Sequence, residues 1–193
     1  RHRPFFINRE STLMSYLAEE GSYKSFLIRA WTRLFYSHYA RIICQSNDIG
    51  NDLIKNFSVD KQKLTLINNP MEFSEVPKIR SGKNQRIKII TVGRLRPEKG
   101  YDRLLDIIKA FDNRGKHDFI YHVVGDFPTP EIEERIMRKA NDLGLMDRIV
   151  FHGHKDTPMD ELHDSDLFLQ GSYYEGFPNA VLESCAAGVP VVA

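Results

Sequence analysis

The sequence has few cysteines, no long apolar run and almost no net charge. Its two cysteines, Cys44 and Cys185, lie far apart in apolar segments, which predicts two free, buried thiols in a reducing compartment. No apolar run is long enough to cross a bilayer, and no cleavable signal opens the chain. The net charge of +1 gives no field that would attract nucleic acid. These absences predict a cytoplasmic protein without a nucleic-acid partner.

Both ends of the sequence predict a piece of a longer polypeptide. The chain opens at Arg1 without an initiator Met, and it closes on the apolar run Val189–Ala193. An open sheet rarely stops on such a strand without a covering helix. We therefore expect both termini to be cut.

Most of the chain alternates short apolar runs with segments of helical periodicity. This alternation over short loops predicts an α/β fold with a doubly wound parallel sheet. Predicted strands cover residues 42–44, 64–67, 87–92, 119–124, 149–151, 167–169 and 189–192. Predicted helices cover residues 11–20, 23–40, 46–56, 103–111, 131–143, 159–163 and 179–187, the third capped by Ser46 and the fifth stopped by Gly144.

A polar stretch without periodicity divides the sequence. Residues 71–86 hold one proline and one glycine, and the polar, aperiodic composition is typical of a linker. We predict one domain over residues 1–70, the linker over 71–86 and a second domain over 87–193. Ligands of open α/β sheets bind beyond the carboxyl ends of the strands, so the loops after residues 92, 124, 151 and 169 are the candidates for function.

The loop after the predicted strand 87–92 carries cations beside glycines. It reads Gly-Arg-Leu-Arg-Pro-Glu-Lys-Gly over residues 93–100 and precedes a helix. Glycine lets a ligand approach the backbone, and a diphosphate is attracted by Arg94, Lys99 and a helix N-terminus. The pattern is neither a dinucleotide fingerprint nor a P-loop. A solvated basic turn is the alternative.

The loop after the predicted strand 167–169 carries two carboxylates, Glu175 and Glu183. Pro178 suits the first position of a helix, where its missing N–H costs nothing. The free amides of Asn179 and Ala180 would then face an anion, and each carboxylate can accept bonds from two vicinal hydroxyls of a sugar or a ribose. The alternative is an ion pair of Glu183 with Arg94 or Lys99.

Together these segments resemble a known family. The motifs Gly-Arg-Leu-x-Pro-Glu-Lys-Gly (93–100), Glu-Gly-Phe-Pro-Asn-Ala-x-Leu-Glu (175–183) and Ala-Ala-Gly-Val-Pro-Val-Val-Ala (186–193) resemble those of family 4 (group 1) retaining glycosyltransferases. The resemblance implies the GT-B fold, which has two facing Rossmann-like domains. Residues 87–193 would be the donor-binding domain, truncated at its C-terminus. Residues 40–46 and 64–70 resemble the end of the acceptor-side domain and the hinge.

The resemblance implies a role for each site residue. Arg94 and Lys99, beside Gly93, would bind the donor diphosphate, Glu183 would hold the ribose hydroxyls, and Glu175 would contact the transferred sugar. Backbone amides would assist the sugar contact or lie near the base; they belong to Gly176, Phe177, Asn179, Ala180, His154 and Lys155. Many members have glycine where Pro178 stands, so one sugar contact is lost here, which bears on the hexose accepted.

The predicted chemistry needs positive charge at the leaving group. Cleavage at the anomeric carbon leaves a cationic sugar and a nucleoside diphosphate, which Arg94, Lys99 and the helix start after Phe177 would neutralise. We therefore predict no metal and no cofactor, with the nucleotide-sugar as substrate. His152, His154 and His163 lack the cysteine or carboxylate partners of a metal site.

A basic, aromatic helix over residues 24–41 has two interpretations. Its arginines, including Arg29 and Arg33, and its rings, including Trp31, favour contact with an anionic membrane surface. The alternative is a packed helix whose arginines lie along the outside. Peripheral contact at the inner face of the membrane is therefore one expected location.

The function predicted from these residues is hexose transfer from a UDP-sugar to a polysaccharide or lipid-linked glycan in surface-glycan biosynthesis. We expect the fragment alone to bind donor without transferring it. The alternatives are a non-catalytic nucleotide-sugar-binding module and another GT-B enzyme, such as a nucleotide-sugar epimerase. The residues do not identify the base, the sugar, the acceptor or the linkage.

Overall fold

The computed structural model describes residues 5–18, 23–71, 86–115 and 118–193. The chain divides into two compact units. One comprises Arg1–Pro70 together with Glu175–Pro178, and the other comprises Met71–Tyr174 together with Asn179–Ala193. Most of the predicted linker, residues 72–85, lies outside the described residues.

The second unit is built on a parallel sheet. Its strands are β4 (Ile87–Val92), β5 (Phe119–Val124), β6 (Ile149–Gly153), β7 (Leu167–Leu169) and β8 (Val191–Val192). Within the described residues the sheet has the order β6-β5-β4-β7-β8, and every pair of neighbouring strands is parallel. The predicted α/β class with a parallel sheet is confirmed.

Helices cover both faces of this sheet. They are α4 (Tyr101–Asp112), α5 (Pro130–Asp142), α6 (Met159–His163) and α7 (Asn179–Ala186). One apolar cluster joins α4 and α5 to one face of the sheet through Leu104, Ile108 and Ile136. A second joins α6 and α7 to the other face through Leu162 of α6 and through Ala180 and Val181 of α7. The predicted apolar faces of α4 and α5 therefore form the core.

The helix ends follow the predicted signals. Gly144 has φ 67° after α5, and its N–H donates to the carbonyl oxygen of Asn141 at 2.8 Å. Glycine adopts this left-handed conformation without a steric penalty. Each element bound differs from its prediction by only a few residues, because hydrophobic periodicity and turn residues agree along this half of the sequence.

The first unit contains a smaller parallel sheet. In the described ranges its strands β1 (Ile7–Glu10), β2 (Arg41–Cys44) and β3 (Leu64–Leu66) are ordered β1-β2-β3. Its helices are α1 (Met14–Leu17), α2 (Tyr23–Tyr36) and α3 (Asn47–Phe57). The hydroxyl of Ser46 accepts a bond from the N–H of Ile49 at 3.3 Å, so the predicted cap of α3 is confirmed. The polar sequence Asn-Arg-Glu gives β1 no apolar alternation, and β1 is not predicted.

Helix α2 buries its polar side and exposes its apolar side. Thr32 is 3% exposed and Ser25 and Tyr36 are also buried, whereas Trp31 is 64% and Leu34 60% exposed. The prediction that the arginines lie outside holds for Arg33, but the aromatic and aliphatic side chains lie outside as well. The usual arrangement of an amphipathic surface helix is therefore inverted.

The two cysteines are both free, as predicted, but only one is buried. Burial raises the pKa of the Cys44 thiol. Cys185 is exposed on α7, so the prediction of two buried thiols is wrong for this residue. The apolar neighbours of Cys185 in the sequence pack toward the sheet, while the cysteine lies on the opposite side of the short helix.

Candidate functional site

The strand order places both predicted loops at one crevice. The chain proceeds from β4 through β5 to β6 on one side and then returns to β7 on the other side of β4. This reversal makes the carboxyl ends of β4 and β7 the topological switch point, where open α/β sheets bind ligands. Residues 93–100 follow β4, and residues 170–178 follow β7. Both loops therefore start at the place where a nucleotide site is expected.

A row of three glycines forms the carboxyl edge of the sheet beside this crevice. Gly93, Gly125 and Gly153 follow or end β4, β5 and β6, with φ of 147°, 146° and 68°. Gly93 N–H donates to the Val124 carbonyl at 2.8 Å, and Gly125 N–H donates to the Gly153 carbonyl at 2.8 Å. A Cβ atom at Gly125 would overlap the Gly93 carbonyl group. The edge is thus bare backbone that a ligand can approach closely.

The two predicted diphosphate ligands lie on the loop after β4. Arg94 is exposed directly after Gly93, and Lys99 is partly buried. The Cε atom of Lys99 lies 3.8 Å from the Cβ position of Gly93, so the lysine stem passes over the end of β4. Gly100, with φ 65°, ends the 3-10 turn Pro97–Lys99 and begins α4. The loop therefore brings the side chain of Lys99 back to the carboxyl end of β4, which Arg94 follows closely in the chain.

Helix α7 carries Glu183 in a partly buried position. Burial raises the pKa of the Glu183 carboxyl. Among the described residues, the carboxylate of Glu183 forms neither an ion pair nor a hydrogen bond, so the alternative of a pair with Arg94 or Lys99 is not observed. Ser184, its buried neighbour, donates to the Ala180 carbonyl at 2.7 Å. A desolvated carboxylate without a charged partner is a candidate ligand group.

The remaining residues predicted on the loop after β7 divide between the units. Asn179 is exposed and Ala180 partly buried at the start of α7. The first compact unit includes Glu175, Gly176, Phe177 and Pro178. The predicted sugar contacts of Glu175, Gly176 and Phe177 therefore stay predictions.

The loop after β6 lies farther from the switch point, since β6 is two strands from β4. His154 is exposed, and its Nε2 lies 3.3 Å from Oδ1 of Asp156. Lys155 Nζ lies 3.1 Å from Oε1 of Glu161. Both side chains thus interact with local carboxylates. The predicted backbone contact with the base stays a prediction.

The prediction of metal-free chemistry overlooks one sequence feature, the triplet Asp164-Ser165-Asp166. An Asp-x-Asp triplet is a candidate for holding a divalent cation. Here it precedes β7, at the amino end of the sheet, opposite the switch point. Asp166 Oδ2 accepts from the Lys88 N–H at 2.8 Å, and Asp164 pairs with Lys88 Nζ. The triplet therefore fastens β7 to β4.

No metal-binding cluster of three His, Cys, Asp or Glu residues occurs in the part of the chain that the structure describes. His122 Nδ1 and His152 Nε2 lie 2.7 Å apart on adjacent strands. That pair joins the edge strand β6 to β5. In the same described part, no helix is both long enough and apolar enough to span a membrane.

Two contributions to the site are not found by sequence reasoning. Gly125 supplies the middle of the backbone edge, and its signal in the sequence is a glycine directly after a predicted strand. Tyr101 is buried in the first turn of α4, and its hydroxyl donates to the Gly93 carbonyl at 2.7 Å. An aromatic residue in a helix gives no sequence signal for that bond.

Characterised relatives match the chain over most of its length. One is UDP-Gal:alpha-D-GlcNAc-diphosphoundecaprenol alpha-1,3-galactosyltransferase of Escherichia coli, which is 26% identical over 86% of this chain and 46% of its own. Another is the lipopolysaccharide 1,6-galactosyltransferase of Escherichia coli, 29% identical over 71% of this chain and 38% of its own. The chain spans about half the length of the relatives it matches, or less.

Solved structures share the fold. The chain matches HepE from Anabaena, solved with UDP and glucose, with a TM-score of 0.80 and 18% identity over 97% of this chain and 52% of HepE. It matches TarM from Staphylococcus aureus with a TM-score of 0.77 and 17% identity, over 96% of this chain and 36% of TarM. At these identities the likeness shows the fold.

The family itself follows from the sequence profile described as Glycosyl transferases group 1, which matches residues 73–193. This match covers more than half of the chain and includes the loops after β4 and β7. The chain therefore belongs to the group 1 glycosyltransferases, the GT4 family, and has the α/β architecture of the GT-B fold.

Proposed function

We propose that the second unit binds the donor of a retaining hexosyltransferase, with a UDP-sugar as the donor. The observation that carries the proposal is the convergence of two loops at the β4–β7 switch point. One loop supplies Arg94 and Lys99, and the other leads to α7 with Glu183, whose carboxylate has no charged partner among the described residues. A nucleoside diphosphate presents the complementary groups: a diphosphate for the cations and two ribose hydroxyls for the carboxylate.

The proposed chemistry depends on charge at the diphosphate. When the bond from the anomeric carbon to the donor oxygen breaks, negative charge grows on the leaving diphosphate. Arg94, Lys99 and the N–H groups at the start of α7 would stabilise that charge, because preorganised donors in a partly desolvated site act most strongly on developing charge. Glu175 would contact the sugar. The same residues make a divalent cation unnecessary at this step.

UDP is the proposed nucleotide, and a polysaccharide or lipid-linked glycan is the proposed acceptor. The named E. coli relative uses UDP-Gal and a diphosphoundecaprenol-linked sugar, and HepE is solved with UDP. The setting we propose is surface-glycan biosynthesis on the cytoplasmic side of the membrane. We expect residues 1–70 to be the end of the acceptor-side domain, and the chain by itself to bind donor without transferring sugar.

Calorimetry with UDP, UDP-glucose, UDP-galactose, UDP-N-acetylglucosamine, GDP and NAD tests the donor proposal. We expect saturable binding of UDP and of at least one UDP-sugar, without added divalent cation and unchanged by EDTA. NAD binding without UDP binding would instead indicate a dinucleotide site. GDP binding that exceeds UDP binding would refute the assigned base and leave the diphosphate site in place.

We further propose that α2 contacts an anionic membrane surface. Its exposed stripe includes Phe26, Trp31 and Leu34. Residues 21–47 contain four Lys and Arg residues and no Asp or Glu, so the segment carries charge of one sign. Apolar insertion and attraction to anionic headgroups act together in such helices.

Sedimentation with vesicles tests this contact. We expect the chain to bind vesicles of phosphatidylglycerol and phosphatidylcholine, and binding to fall at least about tenfold for Trp31→Ser with Leu34→Ser. Ile107→Ser, at an exposed position of α4, is the matched control and should bind as the wild type does. Equal binding by all three proteins, or none by the wild type, would contradict the proposal.

A further inference from the structure

We infer that Arg103 is a positioning residue for the donor sugar, an inference that rests on the proposed donor function. Arg103 lies in the first turn of α4, three residues after Gly100. It belongs to none of the three motifs that carry the family resemblance. Its side chain holds the first residues of the loop after β7, which leads to Glu175.

The guanidinium of Arg103 makes several contacts with consecutive residues of that loop. Its Nε donates to the Gly171 carbonyl at 2.9 Å, and its Nη2 donates to the carbonyls of Gly171 and Ser172, the latter at 2.7 Å. The guanidinium carbon lies 4.4 Å from the centroid of the Tyr173 ring. Three successive residues of the loop are therefore fixed by one planar cation.

Backbone contacts support the same arrangement. The Tyr173 N–H donates to the Glu98 carbonyl at 2.8 Å, which ties the loop after β7 to the loop after β4. A Cβ atom at Gly171 would lie 2.8 Å from Cδ1 of Leu104, and one at Gly100 would lie 3.0 Å from the carbonyl carbon of Gly171. The two loops thus approach as closely as glycine allows. Arg103, on α4, adds side-chain hydrogen bonds to these backbone contacts.

The position of the Arg103 contacts determines which part of the proposed donor site depends on them. The described contacts of Arg103 end at Tyr173, and Glu175 is two residues further along the chain. Helix α7 is held separately, by the packing of Ala180, Val181 and Ala187. Loss of Arg103 therefore removes the side-chain contacts that order residues 171–173, which lead to the proposed sugar ligand, while the packing of α7 is unchanged. The expected defect is specific to the sugar portion of the donor.

Comparison of UDP with a UDP-sugar separates this role from general stabilisation. The probe is whichever of UDP-glucose, UDP-galactose and UDP-N-acetylglucosamine binds the wild-type chain most tightly. For Arg103→Ala we expect about tenfold weaker binding of the UDP-sugar, and UDP binding within about twofold of the wild type. Arg103→Lys keeps the positive charge but loses the planar guanidinium. Its affinity for the UDP-sugar should therefore lie between those of Arg103→Ala and the wild type.

Matched controls make each outcome decisive. Arg138→Ala removes an exposed arginine of α5 that pairs with Glu134 and should leave both affinities unchanged. If Arg103→Ala fails to fold by circular dichroism, Arg103→Lys and Tyr173→Leu replace it in the same comparison. Equal loss of UDP and UDP-sugar, or no loss, would overturn the positioning role. A wild-type chain that binds no UDP and no UDP-sugar would refute the proposed function instead.

Discussion

Replacement of Glu183 by glutamine should improve stability and weaken donor binding at the same time. Glu183 is partly buried without a charged partner among the described residues, and burial raises the pKa of its carboxyl. Glutamine has nearly the same shape and carries no charge to desolvate. The substitution therefore removes the free-energy cost of burying a charge in the folded chain. It also removes the charged acceptor from the proposed ribose site.

The binding loss can be estimated from the proposed contacts. A hydrogen bond to a charged group contributes about 1.5–3 kcal/mol, compared with about 0.5–1.5 kcal/mol for a neutral pair. Two ribose hydroxyls that lose the charged acceptor should cost about 2–3 kcal/mol, which is about 30- to 150-fold in the Kd for UDP. Calorimetry of the wild type and the Glu183→Gln variant measures this ratio.

The stability gain should depend on pH. Because the pKa of Glu183 is raised in the folded chain, the folded state binds this proton more tightly than the unfolded state does. The free energy of unfolding of the wild type should therefore fall, relative to the variant, as pH rises from about 4 to about 8. Thermal unfolding at several pH values should show the advantage in Tm of Glu183→Gln growing over this range.

An exposed carboxylate provides the matched control. Glu134 on α5 is exposed and pairs with Arg138, so Glu134→Gln should change neither the UDP affinity nor the pH dependence of unfolding. A Glu183→Gln variant that binds UDP as the wild type does would refute the ribose role. A Tm advantage of Glu183→Gln over the wild type that shrinks as pH rises would refute the argument from burial.

Two further substitutions address the loop after β4 and the backbone edge beneath it. Arg94→Ala should weaken UDP binding, or slow turnover in the intact enzyme, about 10²–10³-fold, roughly 3–4 kcal/mol, and near-unchanged values of both would exclude the role of Arg94. Gly125→Ala should destabilise the chain by more than about 1 kcal/mol in chemical unfolding, because its φ of 146° and the adjacent Gly93 carbonyl leave no place for a Cβ. Gly115→Ala, where a Cβ meets no atom within 4 Å, carries only the cost of its own positive φ and should lose less.

The sequence predicts the second unit well because several signals coincide there. The strands β4, β5 and β7 agree with their predicted bounds residue for residue. Each is a run of apolar and β-branched residues that ends at a glycine or a polar residue, so periodicity and turn chemistry give the same answer. The switch point depends on the order of the strands in the sheet. Local sequence patterns do not specify that order.

The first unit shows where the sequence signals fail. Strand β1 reads Ile-Asn-Arg-Glu and lies at the edge of its sheet, so burial imposes no alternation on it. In α2 the helical period is clear, but periodicity does not tell which side faces the sheet. Ser25 and Thr32 are buried there because the tertiary packing, rather than the hydrophobic pattern, orients the helix.

The close approach of Gly100 and Gly171 fixes the spacing of the two loops on which the proposed donor site is built. A Cβ atom at Gly100 would overlap the Gly171 carbonyl, and one at Gly171 would overlap the Leu104 side chain of α4, so neither residue can gain a side chain without displacing its neighbour. Under the proposed function, changes of sugar specificity would therefore arise from side chains beyond Ser172, while the spacing of the two loops stays constant. Directed evolution for other donors should concentrate its libraries on residues 173–178 and leave this glycine pair unaltered.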